Sequence, residues 1–263
     1  MMGLIDSFRA DQNHLQDAVR VAEANGIRQV RLLDTAGSCL PHQLKSTVGE
    51  LVTAFPSVAF YGHFHDDFGM ATANAVVGLS LGLRGVEVSV GGFANRAGHP
   101  PLAEVAVGLR QLYGIVLPGF RYDALFALSR MAERVYGLME NPAQAITGVI
   151  THSVQSGIRT ELIRKAPQIF DILDPQAVGS DLTRMFGIRS GRDGILRFPR
   201  EKEDQLRPLG ITATAETADN IFHRLNKEWT SRSATAHERL VSIIELYQKT
   251  LTESFFTETE MMT

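Results

Sequence analysis

Over the first 115 residues, apolar and polar positions alternate between strand-like and helix-like patterns. Short apolar runs rich in valine and leucine predict strands at 30–33, 58–61 and 85–90. Apolar residues at helical spacing predict helices at 11–25, 41–54, 70–82 and 102–112. Repeated strand–helix units of this length predict parallel strands joined by right-handed crossovers.

The pattern changes after about residue 120. Residues 121–137 predict an amphipathic helix whose apolar stripe is Leu125, Leu128, Met131 and Val135. A glycine-rich, irregular stretch covers 142–200, and two further helices are predicted at 214–229 and 234–250. We therefore predict two regions, an α/β domain at 1–118 and a mainly helical region at 119–263.

Unusual polar residues follow each predicted strand of the α/β region. They are Asp34 and Thr35 after one strand, 63–67 after the next, and 95–99 after the third. The carboxyl ends of parallel strands meet at one edge, as in the active face of a (β/α) barrel or a doubly wound sheet. No glycine-rich phosphate fingerprint follows the first strand, which disfavours nucleotide binding.

Two histidines, His63 and His65, stand two positions apart at the end of an apolar run. Strand side chains alternate faces, so both rings are expected on one face, where two imidazoles can hold a divalent metal. The alternative is a pair of ordinary half-buried histidines before a turn. Asp66 and Asp67 follow directly, one of them beside the histidine face.

Composition narrows the class of protein. The chain has 263 residues, 44% of them hydrophobic, and a formal net charge of -3 with basic and acidic residues interspersed. Nothing indicates a nucleic-acid or membrane partner. Cys39 is the single cysteine, so no intramolecular disulfide can form, and a reducing cytoplasm is expected. No apolar run reaches the roughly 18–20 residues of a membrane span, and the N-terminus lacks the plan of a signal peptide.

Five groups of residues occur in order and match motifs of a known enzyme family. They are Asp6-Ser7-Phe8-Arg9; Asp34-Thr35-Ala36-Gly37 with Pro41; His63-Phe64-His65-Asp66-Asp67-Phe68-Gly69-Met70-Ala71; Gly92-Phe93-Ala94-Asn95-Arg96-Ala97-Gly98-His99; and Ser156-Gly157-Ile158 with Gly187-Ile188-Arg189-Ser190-Gly191-Arg192. With these motifs the chain resembles the pyruvate-carboxyltransferase branch of the metal-dependent TIM-barrel acyltransferases. This branch includes homocitrate synthase, 2-isopropylmalate synthase and citramalate synthase.

The resemblance implies a fold and a reaction. It implies the last three to four βα units of a TIM barrel, followed by a mainly helical C-terminal region. Its members serve amino-acid biosynthesis by condensing an acyl-CoA with a 2-oxo acid on a divalent metal, Mn, Mg or Zn. The first motif and Leu112-Tyr113-Gly114-Ile115 favour homocitrate synthase, hence acetyl-CoA and 2-oxoglutarate as substrates.

The resemblance also implies roles for particular residues. His63 and His65 match metal ligands. Asp34, Thr35 and Arg96 match substrate-binding positions, and the catalytic positions fall on Thr35, Asn95 and Arg159. Thr35 would bond the 2-oxo-acid carboxylate, or else serve only as a turn or N-cap hydroxyl. Asp34 orients a ligand or caps the turn, and Arg96 braces its loop.

Several positions depart from the family pattern. Asn95 stands where the family has Glu, His99 where it has Asn, and Arg159 where it has a catalytic His. Arg159 cannot act as a base because guanidinium stays protonated, but it can neutralise a carboxylate or the CoA phosphates. His99 is either a third metal ligand or, as the sequence favours, an exposed loop histidine.

The family's first-strand element, with its metal ligand and catalytic Arg, has no match in this sequence. Met1 corresponds to a point near the fifth barrel strand. A half-barrel leaves strand edges unpaired and its core exposed. We expect a separate subunit or a second copy of the chain to cover them, so we predict a homo- or hetero-oligomer. The alternatives are a degenerate or regulatory fragment, and an aldolase or lyase of the same superfamily that does not use CoA.

Overall fold

The structure is a computed structural model that describes residues 1–154, 165–166, 173–180, 183–184 and 223. Arg159, the Ser156 and Gly187 motifs and nearly all of the predicted helices at 214–229 and 234–250 lie outside these residues. The chain divides into two compact units, of which the first contains Met1–Ser153 and Asp171–Thr183. The site and its supporting elements lie in this first unit. The predicted boundary at residue 118 stays a prediction.

Strands and helices alternate through the first unit. The strands are β1 (Met2–Leu4), β2 (Gln29–Asp34), β3 (Ala59–Phe64) and β4 (Gly85–Val86). The helices are α1 (Gln12–Ala24), α2 (Leu44–Ala54), α3 (Ala71–Ser80), α4 (Leu102–Tyr113) and α5 (Leu125–Tyr136). Two short strands, β5 (Ser153–Val154) and β6 (Thr183–Arg184), pair with each other in a separate sheet.

The four main strands form one sheet in the order β1-β2-β3-β4, and every pairing is parallel. Leu32 of β2 pairs with Leu4 of β1 on one side and with Gly62 of β3 on the other. This register places the carboxyl ends of the strands at one edge, where the predicted site residues follow them. The predicted parallel α/β class is confirmed.

The core lies between the sheet and the helices that cross over it. Inward-facing strand residues such as Val30, Leu32 and Phe60 are fully buried and pack with the apolar faces of α1 and α2. Helix α1 begins at the Asp11 carboxylate, which accepts the backbone N–H groups of Asn13 and His14. Such capping satisfies amide groups that have no partner within the helix.

Two predicted elements differ from the structure. The predicted strand at 85–90 is reduced to Gly85–Val86, and further pairing is limited to a single bridge between Ser89 and Pro101. In the described sheet β4 pairs only with β3, so it lacks a second neighbour that would extend it. Strand β3 continues to Phe64, beyond the predicted end, so His63 lies within the strand.

Helix α5 forms where the sequence predicts a helix, but with a different buried face. Leu125, Ser129 and Ala132 are buried, whereas Val135 of the predicted stripe is 75% exposed. The helix is preceded by a 3-10 turn at Tyr122–Ala124 and ends at Gly137, which adopts positive φ. Among the described residues, no helix is long and apolar enough to cross a bilayer.

Candidate metal centre

His63 lies near the carboxyl end of β3 and is oriented by a carboxylate on the neighbouring strand segment. Its Nδ1 lies 2.5 Å from Oε2 of Glu87, the residue that follows β4. The other oxygen of Glu87 lies 2.8 Å from Nε of Arg31 on β2. A neutral His63 that donates its Nδ1–H to Glu87 keeps the lone pair of Nε2 free for a ligand.

His65 is the first residue after β3 and is only 8% exposed. Its Nδ1 is buried and has no hydrogen-bond partner within the part of the chain that the structure describes. Burial lowers the pKa of His65, and the positive charge of Arg96 lowers it further. The neutral form of the ring is therefore favoured at pH 7, and its buried Nδ1 needs a hydrogen bond or a metal ion as a partner.

His99 comes from the loop between β4 and α4 and packs against both other rings. Its ring centroid lies 4.4 Å from that of His63 and 4.6 Å from that of His65. One nitrogen from each of the three rings lies within 4.8 Å of the others. Burial, followed by the neighbouring His63 and His65, lowers the pKa of His99 to about 4. The favoured expectation of an exposed loop histidine is not what the structure shows.

The backbone of the loop at 91–99 holds His99 in this position. The His99 amide donates to the Gly92 carbonyl at 3.1 Å, and the Asp66 amide donates to the Gly98 carbonyl at 3.0 Å. Gly98 adopts a φ of 99°, and a Cβ there would lie 2.1 Å from the Gly92 oxygen. Only glycine fits this close approach.

Arg96 joins this loop to the ends of β2 and β3. Its guanidinium donates to both carboxylate oxygens of Asp67, at 2.8 and 2.9 Å, and to the Thr35 carbonyl at 2.7 Å. Arg96 also has positive φ, at 57°. All of these partners belong to the protein, so Arg96 braces the loop, and its match to a substrate-binding position stays a prediction.

Asp34 and Thr35 are both used in the turn after β2. The buried carboxylate of Asp34 accepts the amides of Ser38 and Cys39, each at 3.1 Å, and burial raises its pKa. The Thr35 hydroxyl accepts the amide of Asp6 at 2.9 Å. Because a hydroxyl both donates and accepts, the Thr35 proton remains available to a ligand.

The remaining candidate residues do not join the cluster. The Asn95 side chain is exposed in the same loop as His99. His152, seven residues before Arg159, has Nε2 at 2.9 Å from the Ile146 carbonyl, which is a structural contact. Glu87 was missed by sequence reasoning. The signal that could have found it is an acid between the apolar residues Val86 and Val88.

The residues present fit a divalent metal ion. The three rings offer nitrogen atoms close together, the buried Nδ1 of His65 lacks a partner, and Glu87 orients His63. Neutral imidazole is the form that ligates a metal, and the lowering of the pKa at His65 and at His99 favours that form. The set therefore offers the donors that a divalent ion needs.

Comparison with known proteins identifies the family. The HMGL-like family model matches residues 1–132. The chain belongs to the HMGL-like family. This confirms the resemblance inferred from the ordered motifs of the sequence.

Several curated relatives are synthases that match along most of the chain. The homocitrate synthase AksA of Methanopyrus kandleri is 28% identical, covering 91% of this chain and 58% of the relative. Homocitrate synthase 1 of Nostoc sp. is 34% identical, covering 89% and 60%. A probable 2-isopropylmalate synthase of Methanopyrus kandleri is 31% identical, covering 84% and 43%. The chain thus spans about half the length of these relatives.

The close approach at Gly98 predicts a stability difference between two glycine variants. Gly69 also has positive φ, but no atom lies within 4 Å of the position of a Cβ there. Gly69→Ala should lower the free energy of unfolding by about 1 kcal/mol from backbone strain alone. Gly98→Ala should cost at least about 2 kcal/mol, since it adds a clash with the Gly92 oxygen. Urea unfolding measures both, and equal losses would contradict this packing.

The low pKa of His99 predicts a pH-dependent stability in metal-free buffer. Because its folded-state pKa is about 4, the unfolded chain, with an ordinary imidazole, binds more protons as pH falls through about 6.5. The groups facing the ring are His63, His65, Glu87 and Arg96.

Stability should therefore fall between about pH 7 and pH 5, and His99→Asn should remove up to about 2 kcal/mol of that fall. His14→Asn, on the exposed surface of α1, is the matched control. Unfolding curves at the two pH values measure the difference. The same pH dependence in wild type and His99→Asn would show that the ring titrates normally.

Proposed function

We propose that this chain carries the metal-binding half of the catalytic barrel in a homocitrate synthase-like acyltransferase. Such an enzyme condenses acetyl-CoA with a 2-oxo acid and releases the free thiol of CoA. The observation that carries the proposal is the three-imidazole cluster of His63, His65 and His99 at the carboxyl edge of a parallel sheet. Membership of the HMGL-like family and the synthase names of the relatives support it.

The sheet supports a partial (β/α) barrel that is completed by a partner. Four parallel strands alternate with crossover helices, and within the described sheet β1 and β4 each have one neighbour. Unpaired backbone groups and apolar surface at such edges favour closure by further strands. We propose that these strands come from a partner subunit or from a second copy of the chain.

Each side chain of the site has a proposed task. A divalent ion held by the three histidines would polarise the carbonyl of the 2-oxo acid as a Lewis acid. Thr35 donates its free hydroxyl proton to the substrate carboxylate, while Asp34 fixes the turn that presents Thr35. Arg96 is a positioning residue, because Asp67 and the Thr35 carbonyl occupy its guanidinium.

Two catalytic positions remain proposals that rest on the family resemblance. Asn95 is exposed at the rim of the site, where its amide can donate a hydrogen bond to a bound acyl group. Arg159, outside the described residues, supplies a fixed positive charge for a carboxylate or for the CoA phosphates. Neither residue removes a proton, so the base that activates the acetyl group comes from elsewhere in the complete enzyme.

We infer that 2-oxoglutarate is the preferred 2-oxo acid. Two of the relatives compared above are named homocitrate synthases, and the Asp6-Ser7-Phe8-Arg9 motif favours the same branch. Arg9 forms a two-pronged ion pair with Asp6, at 2.8 and 2.7 Å, beside the turn that holds Thr35.

A thiol-release assay tests the proposal. The full chain is assayed with acetyl-CoA, Mn²⁺ or Zn²⁺ and a panel of 2-oxo acids. It is assayed alone and after co-purification with the N-terminal barrel half of a homocitrate synthase. We expect little release from the chain alone and 2-oxoglutarate-dependent release from the complex. Replacing His63 and His65 with Ala should reduce the rate by on the order of 100-fold, because it removes several kcal/mol of transition-state stabilisation.

The controls separate the parts of this proposal. His14→Ala should leave the rate unchanged, since that side chain lies on the exposed surface of α1. Robust release from the isolated chain would rule out the need for a partner. A co-purified complex that releases no thiol with any 2-oxo acid would favour a degenerate or regulatory chain over an acyltransferase.

A further inference from the structure

We propose that His99 completes a metal site made entirely of imidazole nitrogens, which selects a transition ion such as Zn²⁺ or Co²⁺ over Mg²⁺. The site needs no ligand from outside the chain for this selection. The inference rests on the metal role in the proposed function but not on the identity of the substrates.

The geometry already brings three donors together. One nitrogen from each ring lies within 4.8 Å of the others, and the ring planes meet at 71–77°. Two nitrogens bound tetrahedrally at about 2.0–2.1 Å from one zinc ion lie roughly 3.3 Å apart. Small rotations of the three side chains would close this gap, because one nitrogen of each ring already lies within 4.8 Å of the others.

The carboxylates beside the cluster each hold a backbone or side-chain partner within the protein. The Asp66 carboxylate accepts the Ala71 amide at 2.8 Å, and that of Asp67 is held by Arg96. The Asp34 carboxylate accepts the Ser38 and Cys39 amides. Mg²⁺ demands oxygen ligands in an octahedral arrangement, whereas imidazole suits zinc, copper, iron and nickel. The ligand atoms that the described residues bring together are all imidazole nitrogens, the kind that transition ions prefer.

A carboxylate outside the cluster orients one of its members. Glu87 holds Nδ1 of His63 and is itself held by Arg31. This contact fixes the ring and its tautomer, and it raises the basicity of the opposite nitrogen. Glu87 is therefore a positioning residue for the metal rather than a ligand.

The burial of His65 also favours ion binding at the cluster. Its buried Nδ1 has no hydrogen-bond partner among the described residues, and burying such an atom without one costs free energy. Ion binding at the cluster orders this ring and favours the tautomer whose ligating nitrogen carries no proton. The cluster thus has a physical reason to take up an ion in the isolated chain.

Cobalt titration of the purified full chain in a large excess of Mg²⁺ tests the inference. Co²⁺ bound to imidazole nitrogens gives a visible absorption band, so the readout is independent of activity. We expect one ion per chain, with the band little changed by Mg²⁺. His99→Asn and His99→Gln replace the ring with an amide and should each weaken Co²⁺ binding by at least about 10-fold. Glu87→Gln should weaken it by about 10–100-fold.

The cobalt titration has a matched control variant and two results that would overturn the inference. His14→Ala, an exposed histidine on α1, should bind Co²⁺ as wild type does. Circular dichroism melting of each variant shows which variants retain the fold. If one of the two amide variants at position 99 does not fold, the other still provides the measurement. Displacement of Co²⁺ by Mg²⁺, or unchanged binding in both folded His99 variants, would overturn the inference.

The test separates this inference from the proposed function. A complex that releases thiol with Mg²⁺ while its cobalt band is displaced would retain the acyltransferase proposal and lose the selectivity. A chain that keeps the imidazole-dependent cobalt band but releases no thiol in complex would retain the metal site and lose the reaction.

Discussion

The paired hydrogen bonds of Arg96 with Asp67 are the interaction on which the candidate site depends. The same guanidinium reaches the Thr35 carbonyl, so one cation joins the segments that follow β2, β3 and β4. Its planar fork fixes direction as well as distance, which a lysine ammonium could not do. The loop that carries His99 is therefore set relative to the end of the strand that carries His63 and His65, and rings from these two segments meet.

Strand register supplies the second constraint. Leu33 pairs with His63 and Asp34 with Phe64, so the side chains of β3 alternate between the cluster and the core. A slip of one residue would turn His63 away from the cluster and expose Phe64, which is fully buried. The burial of Phe64 on one face of β3 thus fixes His63 on the face of the cluster.

The sequence predicts most of this arrangement where local rules apply. The period of two along a strand was enough to propose His63 and His65 as neighbours, and repeated strand–helix units indicated a parallel sheet. His99 and Glu87 could not be placed in the same way. The position of His99 depends on Gly98 at positive φ and on loop bonds to Gly92, and that of Glu87 on pairing across strands. The end of β4 was also mispredicted, because strand length depends on neighbours that a local pattern does not encode.

X-ray absorption at the zinc edge counts the ligands of a bound zinc ion and so tests whether all three imidazoles hold it. For the zinc-loaded full chain, we expect three imidazole nitrogens at about 2.0–2.1 Å from one ion. His99→Asn should reduce the imidazole count to two, and His14→Asn should leave it at three. A wild-type spectrum with two or fewer imidazoles, or one that His99→Asn does not change, would contradict a site built from these three residues.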